Sequence, residues 1–219
     1  MNVGRVHFAI MVMICLGAGA YMSVRLFAGA SDAEWIRFLP KTKPLENFLL
    51  QDQREHEFTA NNLQQHWSLI YFGFSSCPDL CPMALQKMAR VKRLLGDAST
   101  LQLIFISLDP ERDTHSVRAT YVNFFHPQLI GLSGSNQELA QVADFFGAAY
   151  SRTFKRGDDY FNVPAGFALP DNAGDDYQVN HSSRIFIVNP KAELIGSFEP
   201  PHNVEAIVSD MRLLMHQIR

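Results

Sequence analysis

Two patterns of hydrophobic and polar residues succeed each other along the chain. One is a short run of consecutive apolar residues, and the other is a series of apolar residues at helical spacing. The β-rich runs at 67–74 and 101–107 are typical of strands that are covered on both faces. Between them, apolar residues recur at helical spacing from Ala84 to Leu95, and Gly96 follows as a helix stop. This succession predicts a βαβ unit with parallel strands and a right-handed crossover.

The rest of the chain continues the same alternation. It predicts a helix at 115–125, a strand at 129–132, a helix between a Ser135 capping box and Gly147, a hairpin of strands at 184–188 and 193–198, and a last helix capped by Asn203. A βαβ half and a ββα half around one mixed sheet, flanked by helices, is the layout of the thioredoxin-like α/β fold. The polar stretch 150–179, rich in Gly, Pro and Asp, is predicted to be a long functional or mobile loop.

The N-terminus differs from this domain. Residues 6–24 contain no Asp, Glu, Lys or Arg, which is about the ~20 apolar residues that a transmembrane helix needs. We therefore expect residues 1–30 to be an uncleaved membrane anchor, with a cleaved signal peptide as the alternative. Residues 31–46 are polar and contain prolines, which predicts a tether. The domain proper is then 47–219, on the exported side of the membrane.

Composition excludes one class of partner. The hydrophobic fraction of 47% is that of an ordinary globular domain, so disorder is not expected. The net charge is −3, and no cluster of Lys and Arg supplies a basic surface. Nucleic-acid binding is therefore not expected.

Two of the three cysteines carry the candidate chemistry. Cys77 follows a predicted strand and Cys81 lies in the first turn of the next helix, where the helix N-terminus favours thiolates. Thiolates are both nucleophiles and metal ligands, so position alone leaves both roles open. A third interpretation is a structural disulfide between the two cysteines of an exported domain. Such a disulfide would add little stability, because the loop that it closes is very short.

Three features favour a metal. The spacing is C-x-x-x-C and not the redox motif C-x-x-C, which leaves room for an ion. His181 stands just before a late buried strand, which a thioredoxin-like sheet places beside the cysteine strand. Ser183-Arg184 occupies the place where a thioredoxin-type oxidoreductase carries its cis-proline. Two thiolates and one imidazole suit copper, whereas zinc generally takes four ligands.

Four segments, in this order, carry a family resemblance: YFGFSSCPDLCPMAL, ISLDPERDT, GLSGS and DYQVNHSSRIFIVNP. Together they resemble the Sco/SenC family over about residues 45–217. The resemblance implies a thioredoxin-like, membrane-anchored copper protein that helps to assemble the CuA site of cytochrome c oxidase. It also implies that the copper ligands are Cys77, Cys81 and His181.

On this basis we expect a copper metallochaperone and not an enzyme, held as a single-pass protein in the inner membrane with its domain in the periplasm. The expected partners are the copper-binding subunit of cytochrome c oxidase, periplasmic copper donors and thiol reductants. A reversible Cys77–Cys81 disulfide would gate copper loading. The rival functions are a thiol–disulfide oxidoreductase, which needs both cysteines but not His181, a peroxidase-like thiol enzyme and a copper sensor.

Four further residues are candidates for positioning the ligands or docking a partner. Asp79 lies between the cysteines, and Asp109 and Asp113 belong to the DPERDT motif on the same rim. A plainer alternative is that Thr114, beside Asp113, only caps the next helix. Asn180 stands where the family commonly has Asp, which we expect to alter ligand orientation or copper affinity.

Overall fold

Residues 35–96 and 100–217 are described by a computed structural model of the chain. Its strands are β1 Ile36–Pro44, β2 Leu50–Gln51, β3 Glu57–Phe58, β4 Trp67–Gly73, β5 Leu101–Ser107, β6 Leu129–Leu132, β7 Tyr150–Arg156, β8 Asp159–Pro164, β9 Tyr177–His181, β10 Ile185–Val188 and β11 Glu193–Phe198. Its helices are α1 Leu80–Leu95, α2 His115–Phe125, α3 Asn136–Phe146 and α4 Val204–Gln217.

The central sheet has the predicted mixed topology. Its strand order is β1-β11-β10-β4-β5-β6, in which β4, β5 and β6 are parallel and the other pairs are antiparallel. All seven residues of β4 are buried, as the continuous apolar run predicts for a central strand. Tyr71 of β4 lies opposite Phe105 of β5 on one side and Ile185 of β10 on the other. The prediction of a thioredoxin-like mixed sheet with flanking helices is confirmed.

Helix ends follow local sequence signals. Ser135 and Glu138 form the expected capping box at the start of α3, and Gly147 ends that helix in the left-handed conformation. At α4, the side chain of Asn203 accepts a hydrogen bond from the Ala206 N–H at 3.0 Å. Helices α1 and α4 pack against each other, and α2 packs against β6.

The tether predicted at 31–46 needs a correction. Residues 36–44 form β1, an edge strand that pairs with β11 and contains a register shift between Phe38 and Lys43. A Cβ atom on Gly196 of β11 would lie 2.5 Å from the Arg37 carbonyl oxygen, so a glycine permits this close pairing. The prolines and mostly exposed side chains of the segment resemble a linker, but an edge strand tolerates both.

The predicted loop at 150–179 is wrong. Strands β7, β8 and β9 form a separate three-stranded antiparallel sheet, in the order β8-β7-β9. Buried residues alternate along β7, with Tyr150, Arg152 and Phe154 facing inward. Because one of the three buried residues is an arginine, the sequence of β7 does not show the alternation of hydrophobic and polar residues that indicates a strand.

The anchor predicted at 1–30 lies outside the described residues. Within the described part of the chain, no helix is both long enough and apolar enough to span a bilayer.

Candidate metal centre

The two site cysteines lie at the carboxyl end of the central parallel strand. Cys77 is in the connection that follows β4 and is half-buried, whereas Cys81 is the second residue of α1 and is fully buried. The Cys81 backbone N–H donates to the Cys77 sulfur over 3.4 Å. A free N–H at the start of α1 therefore points at Cys77, as expected for a thiol at a helix N-terminus.

His181 comes to the cysteines from the smaller sheet. It is the last residue of β9, and its Nε2 lies 3.5 Å from the Cys81 sulfur. Its Nδ1 is 2.9 Å from the Ser182 carbonyl oxygen, which fixes Nδ1 as the protonated nitrogen and leaves the Nε2 lone pair facing the sulfurs. The imidazole ring packs edge-on against Tyr71 and Phe74, with centroid separations of 6.0 Å and 5.8 Å.

These three residues form a metal-sized cluster. Their ligand atoms, the two Sγ atoms and a nitrogen of His181, all lie within 4.8 Å of one another. Neither of these two cysteines is in a disulfide. In the described part of the chain, this is the group of His, Cys, Asp and Glu side chains that could hold a metal ion.

The pKa values of the two cysteines are shifted in opposite directions. A hydrogen bond from the Cys81 thiol, with smaller contributions from backbone N–H groups, outweighs burial and lowers the pKa of Cys77 to about 4. The same hydrogen bond, together with burial, raises the pKa of Cys81 well above its ordinary value. The metal-free pair is therefore a Cys77 thiolate that accepts a hydrogen bond from the Cys81 thiol.

Gly73 and Tyr71 shape the pocket for the Cys81 sulfur, and our sequence analysis did not single them out. A Cβ atom on Gly73 would lie 2.6 Å from the Cys81 sulfur and 3.2 Å from Cε1 of Tyr71. Only a glycine there leaves space for the sulfur against the strand. Gly73 and Tyr71 are two residues apart in β4, so they share one face of the sheet. This spacing was the signal in the sequence that the two residues lie side by side.

Asp113 ties the cysteine loop to the sheet. Its buried carboxylate accepts hydrogen bonds from the backbone N–H and hydroxyl of Ser75, two residues before Cys77, and from the hydroxyl of Ser107 at the end of β5. It therefore joins the carboxyl ends of β4 and β5. Thr114 does cap α2, since its hydroxyl accepts from the Val117 N–H at 3.4 Å, so the motif has a capping and a positioning role.

Asp109 and Arg112 tie the same motif to the histidine strand. Buried Asp109 accepts hydrogen bonds from the Tyr177 hydroxyl and from Arg112. The Arg112 guanidinium in turn lies 3.7 Å from the centre of the Tyr177 ring and donates to the Tyr177 carbonyl oxygen. Burial raises the pKa of Asp109. The motif thus holds both the loop of Cys77 and the strand that ends at His181.

Two of the candidate positioning residues lie apart from these contacts. Asp79 is the exposed N-cap residue of α1, and its side chain makes no capping hydrogen bond. Asn180 is exposed, and its amide donates to the Thr153 hydroxyl of β7 at 3.0 Å. Because side chains alternate along a strand, Asn180 and His181 point to opposite faces of β9.

The chain is similar to known proteins both in sequence and in structure. The SCO1/SenC family model matches residues 39–216. A mitochondrial SCO2 homolog of Bos taurus is 34% identical over 79% of this chain, and the chain spans 60% of that relative's length. A copper-bound ScoI structure from Arabidopsis thaliana is 30% identical, with a TM-score of 0.66 over 78% of this chain and 98% of that one. Yeast Sco1 with copper bound is 29% identical, with a TM-score of 0.67 over 81% and 91%.

Proposed function

The chain belongs to the SCO1/SenC family, and on that premise we propose that it is a copper chaperone that binds its cargo through Cys77, Cys81 and His181. The observation that carries the proposal is the convergence of the three ligand atoms within 4.8 Å. The copper-bound structures of two relatives support copper as the metal.

The donor chemistry also favours copper. Two thiolate sulfurs and an imidazole nitrogen form a soft, three-donor set, which suits copper better than hard ions. Within the described residues, no further His, Cys, Asp or Glu completes the four ligands that a structural zinc site takes. Nε2 of His181 is held as the lone-pair nitrogen by the Ser182 carbonyl, so this ligand is oriented before copper arrives.

The surroundings of the site fit transfer of copper to a partner. Cys77 and His181 are half-buried and not enclosed, and apolar Leu80 and Met83 beside Cys81 are each about half exposed. A partner protein can therefore bring its own ligands to the metal and cover these side chains. We propose the copper-binding subunit of cytochrome c oxidase as that partner, and the periplasmic side of the inner membrane as the location, with residues 1–30 as the anchor.

Redox state would control loading. Two thiols within reach of each other can be oxidised to a Cys77–Cys81 disulfide by a disulfide-bearing partner, which is reduced to two thiols in the exchange. The disulfide lacks the thiolates that copper needs, so the oxidised chain releases its cargo.

A second candidate, a thiol–disulfide oxidoreductase, is favoured by one observation. Cys77 has a pKa of about 4 and a partner thiol within reach, which are properties of an attacking thiolate and a resolving cysteine. Such an enzyme would keep the copper-ligand cysteines of the oxidase subunit reduced. It requires both cysteines, but it does not require His181.

The test is an anaerobic Cu(II) titration of the reduced full chain, purified in detergent because residues 6–24 are apolar. We expect an intense sulfur-to-copper charge-transfer band that saturates at about one copper per chain, and we expect His181→Ala to abolish or strongly shift it. His56→Ala, which changes a histidine whose side chain is 72% exposed, is the matched control and should titrate as wild type does. Oxidation of the thiols to a disulfide, identical in all three proteins, would contradict the chaperone and favour the oxidoreductase.

A further inference from the structure

The hydroxyl of Tyr71 is an unexplained polar group beside the cluster. Tyr71 is fully buried in β4, and its hydroxyl oxygen has no hydrogen-bond partner. The polar side chains that face it are those of Ser183 and Cys81, which are close enough to interact with the hydroxyl, but neither has the distance and angle of a hydrogen bond to it. An unpaired hydroxyl in a protein interior is unfavourable, by about 1–3 kcal/mol, so its presence calls for a reason.

The position of the hydroxyl relates it to the metal ligands. Tyr71 shares a face of β4 with Gly73, whose missing side chain leaves the space where the Cys81 sulfur and the Tyr71 ring meet. The same ring contacts His181 edge-on at 6.0 Å. Tyr71 therefore touches two of the three ligand residues, and its one donor group lies on the Cys81 side.

The charge at Cys81 changes when metal binds. Cys81 forms no disulfide, and the neutral thiol of a cysteine is a weak hydrogen-bond acceptor. As a metal ligand it must lose its proton, which leaves a negatively charged sulfur on a residue that is completely buried. Burying a charge is costly unless hydrogen bonds compensate it, and the donors near this sulfur are the Phe74 backbone N–H and the Tyr71 hydroxyl.

We propose that Tyr71 is a positioning residue for copper, whose hydroxyl stays unpaired in the metal-free chain and donates a hydrogen bond to the Cys81 sulfur once that sulfur is a metal-bound thiolate. This inference rests on the proposed function and deepens it. It gives the buried hydroxyl a role, and it makes the hydroxyl stabilising in the loaded state alone.

The test compares wild type with Tyr71→Phe in the full, reduced chain. Removal of a hydrogen bond makes the thiolate a stronger electron donor, so the sulfur-to-Cu(II) band should move to longer wavelength. Affinity for Cu(I), measured by competition with a chromophoric chelator, should fall by about tenfold, the effect of one hydrogen bond to a charged group. The thermal midpoint of the metal-free chain should be unchanged or raised, because the variant loses only an unpaired hydroxyl.

Tyr121→Phe is the matched control. Its hydroxyl is also buried and without a partner, but its ring contacts Phe105 and Phe125 and not His181. This variant should keep the wild-type band and affinity.

The contrary outcomes are distinct. A Tyr71→Phe protein with the wild-type band and affinity would overturn the inference. So would a lower metal-free midpoint and weaker binding without a band shift, since that result describes a packing role. Absence of the band in wild type as well would overturn the proposed function and, with it, the inference.

Discussion

Cys77 and Cys81 are four residues apart in the sequence, but they differ in burial and in the direction of their pKa shifts. Cys77 is half-buried, receives hydrogen bonds from the Cys81 thiol and from backbone N–H groups, and is acidic. Cys81 is buried against Gly73 and keeps its proton. Under the proposed function, copper would therefore meet one ready thiolate first and would have to displace a proton from the second sulfur.

This asymmetry gives a pH prediction for Cys77. A lowered pKa means that the thiolate is present above about pH 4 and is lost as the pH falls through that value. The alkylation rate of Cys77 by iodoacetamide, followed by peptide mass spectrometry, should therefore stay nearly constant from pH 8 to about pH 5 and then fall.

Cys81→Ala is the control for that profile. It removes the hydrogen bond that lowers the pKa of Cys77 most, so the midpoint of the Cys77 alkylation profile should rise toward the ordinary thiol value. A wild-type midpoint near that of an ordinary thiol would show that the Cys77 thiolate is not stabilised in this way.

At the residue scale, sequence reasoning selected the three residues that the fold brings together, but not the residues around them. C-x-x-x-C after an apolar strand, with His181 before a late strand, suffices to propose the three residues, because strand order in a known topology brings them together. Tyr71 and Gly73 could not be chosen in the same way. One is an aromatic residue in a core strand and the other a glycine at a strand end, and only coordinates show that the Cys81 sulfur lies against both.

At the scale of elements, the turn after β5 links the two halves of the site. The turn, residues 109–114, binds the cysteine loop through Asp113 and Ser75, and it binds β9 through Asp109, Arg112 and Tyr177. Because the cysteines follow a strand of the central sheet and the histidine ends a strand of the smaller sheet, this turn fixes the relative position of the three proposed ligands.

Asp113→Ala tests this role. The change leaves the Ser75 and Ser107 donors without their acceptor, and we expect it to lower the free energy of unfolding by about 3 kcal/mol and to weaken copper binding. Urea unfolding and chelator competition measure the two effects. Asp158→Ala, at the exposed turn between β7 and β8, should change stability by less than about 0.5 kcal/mol. Equal effects of the two substitutions would show that the turn does not organise the site.

Helices and strands that a local sequence pattern specifies were predicted correctly. Strands whose residues give conflicting patterns were not. The capping box at Ser135, the stop at Gly147 and the apolar run of β4 each specify an element from local sequence. Strands β7 to β9 were predicted as a loop because their stability depends on buried polar partners. Arg152, for example, is fully buried and pairs with Glu111 at 2.6 Å, a contact between residues distant in sequence.

At the scale of the whole molecule, family membership and the cluster agree on copper, while the setting of the domain is a proposal. The SCO1/SenC match covers 39–216, and β1 begins at Ile36, so the described domain and the matched region nearly coincide. Membrane anchoring by residues 1–30, the periplasmic location and the oxidase subunit as partner stay predictions. The central claim concerns the domain itself: one copper ion is bound by two sulfurs and one imidazole.

X-ray absorption at the copper K edge, recorded on the Cu(I)-loaded full chain, tests that claim most directly. We expect a first coordination shell of two sulfur atoms and one nitrogen atom in wild type, and we expect His181→Ala to lose the nitrogen and keep both sulfurs. A wild-type shell with sulfur alone, or a nitrogen that persists in His181→Ala, would contradict the assignment of His181 as the third ligand.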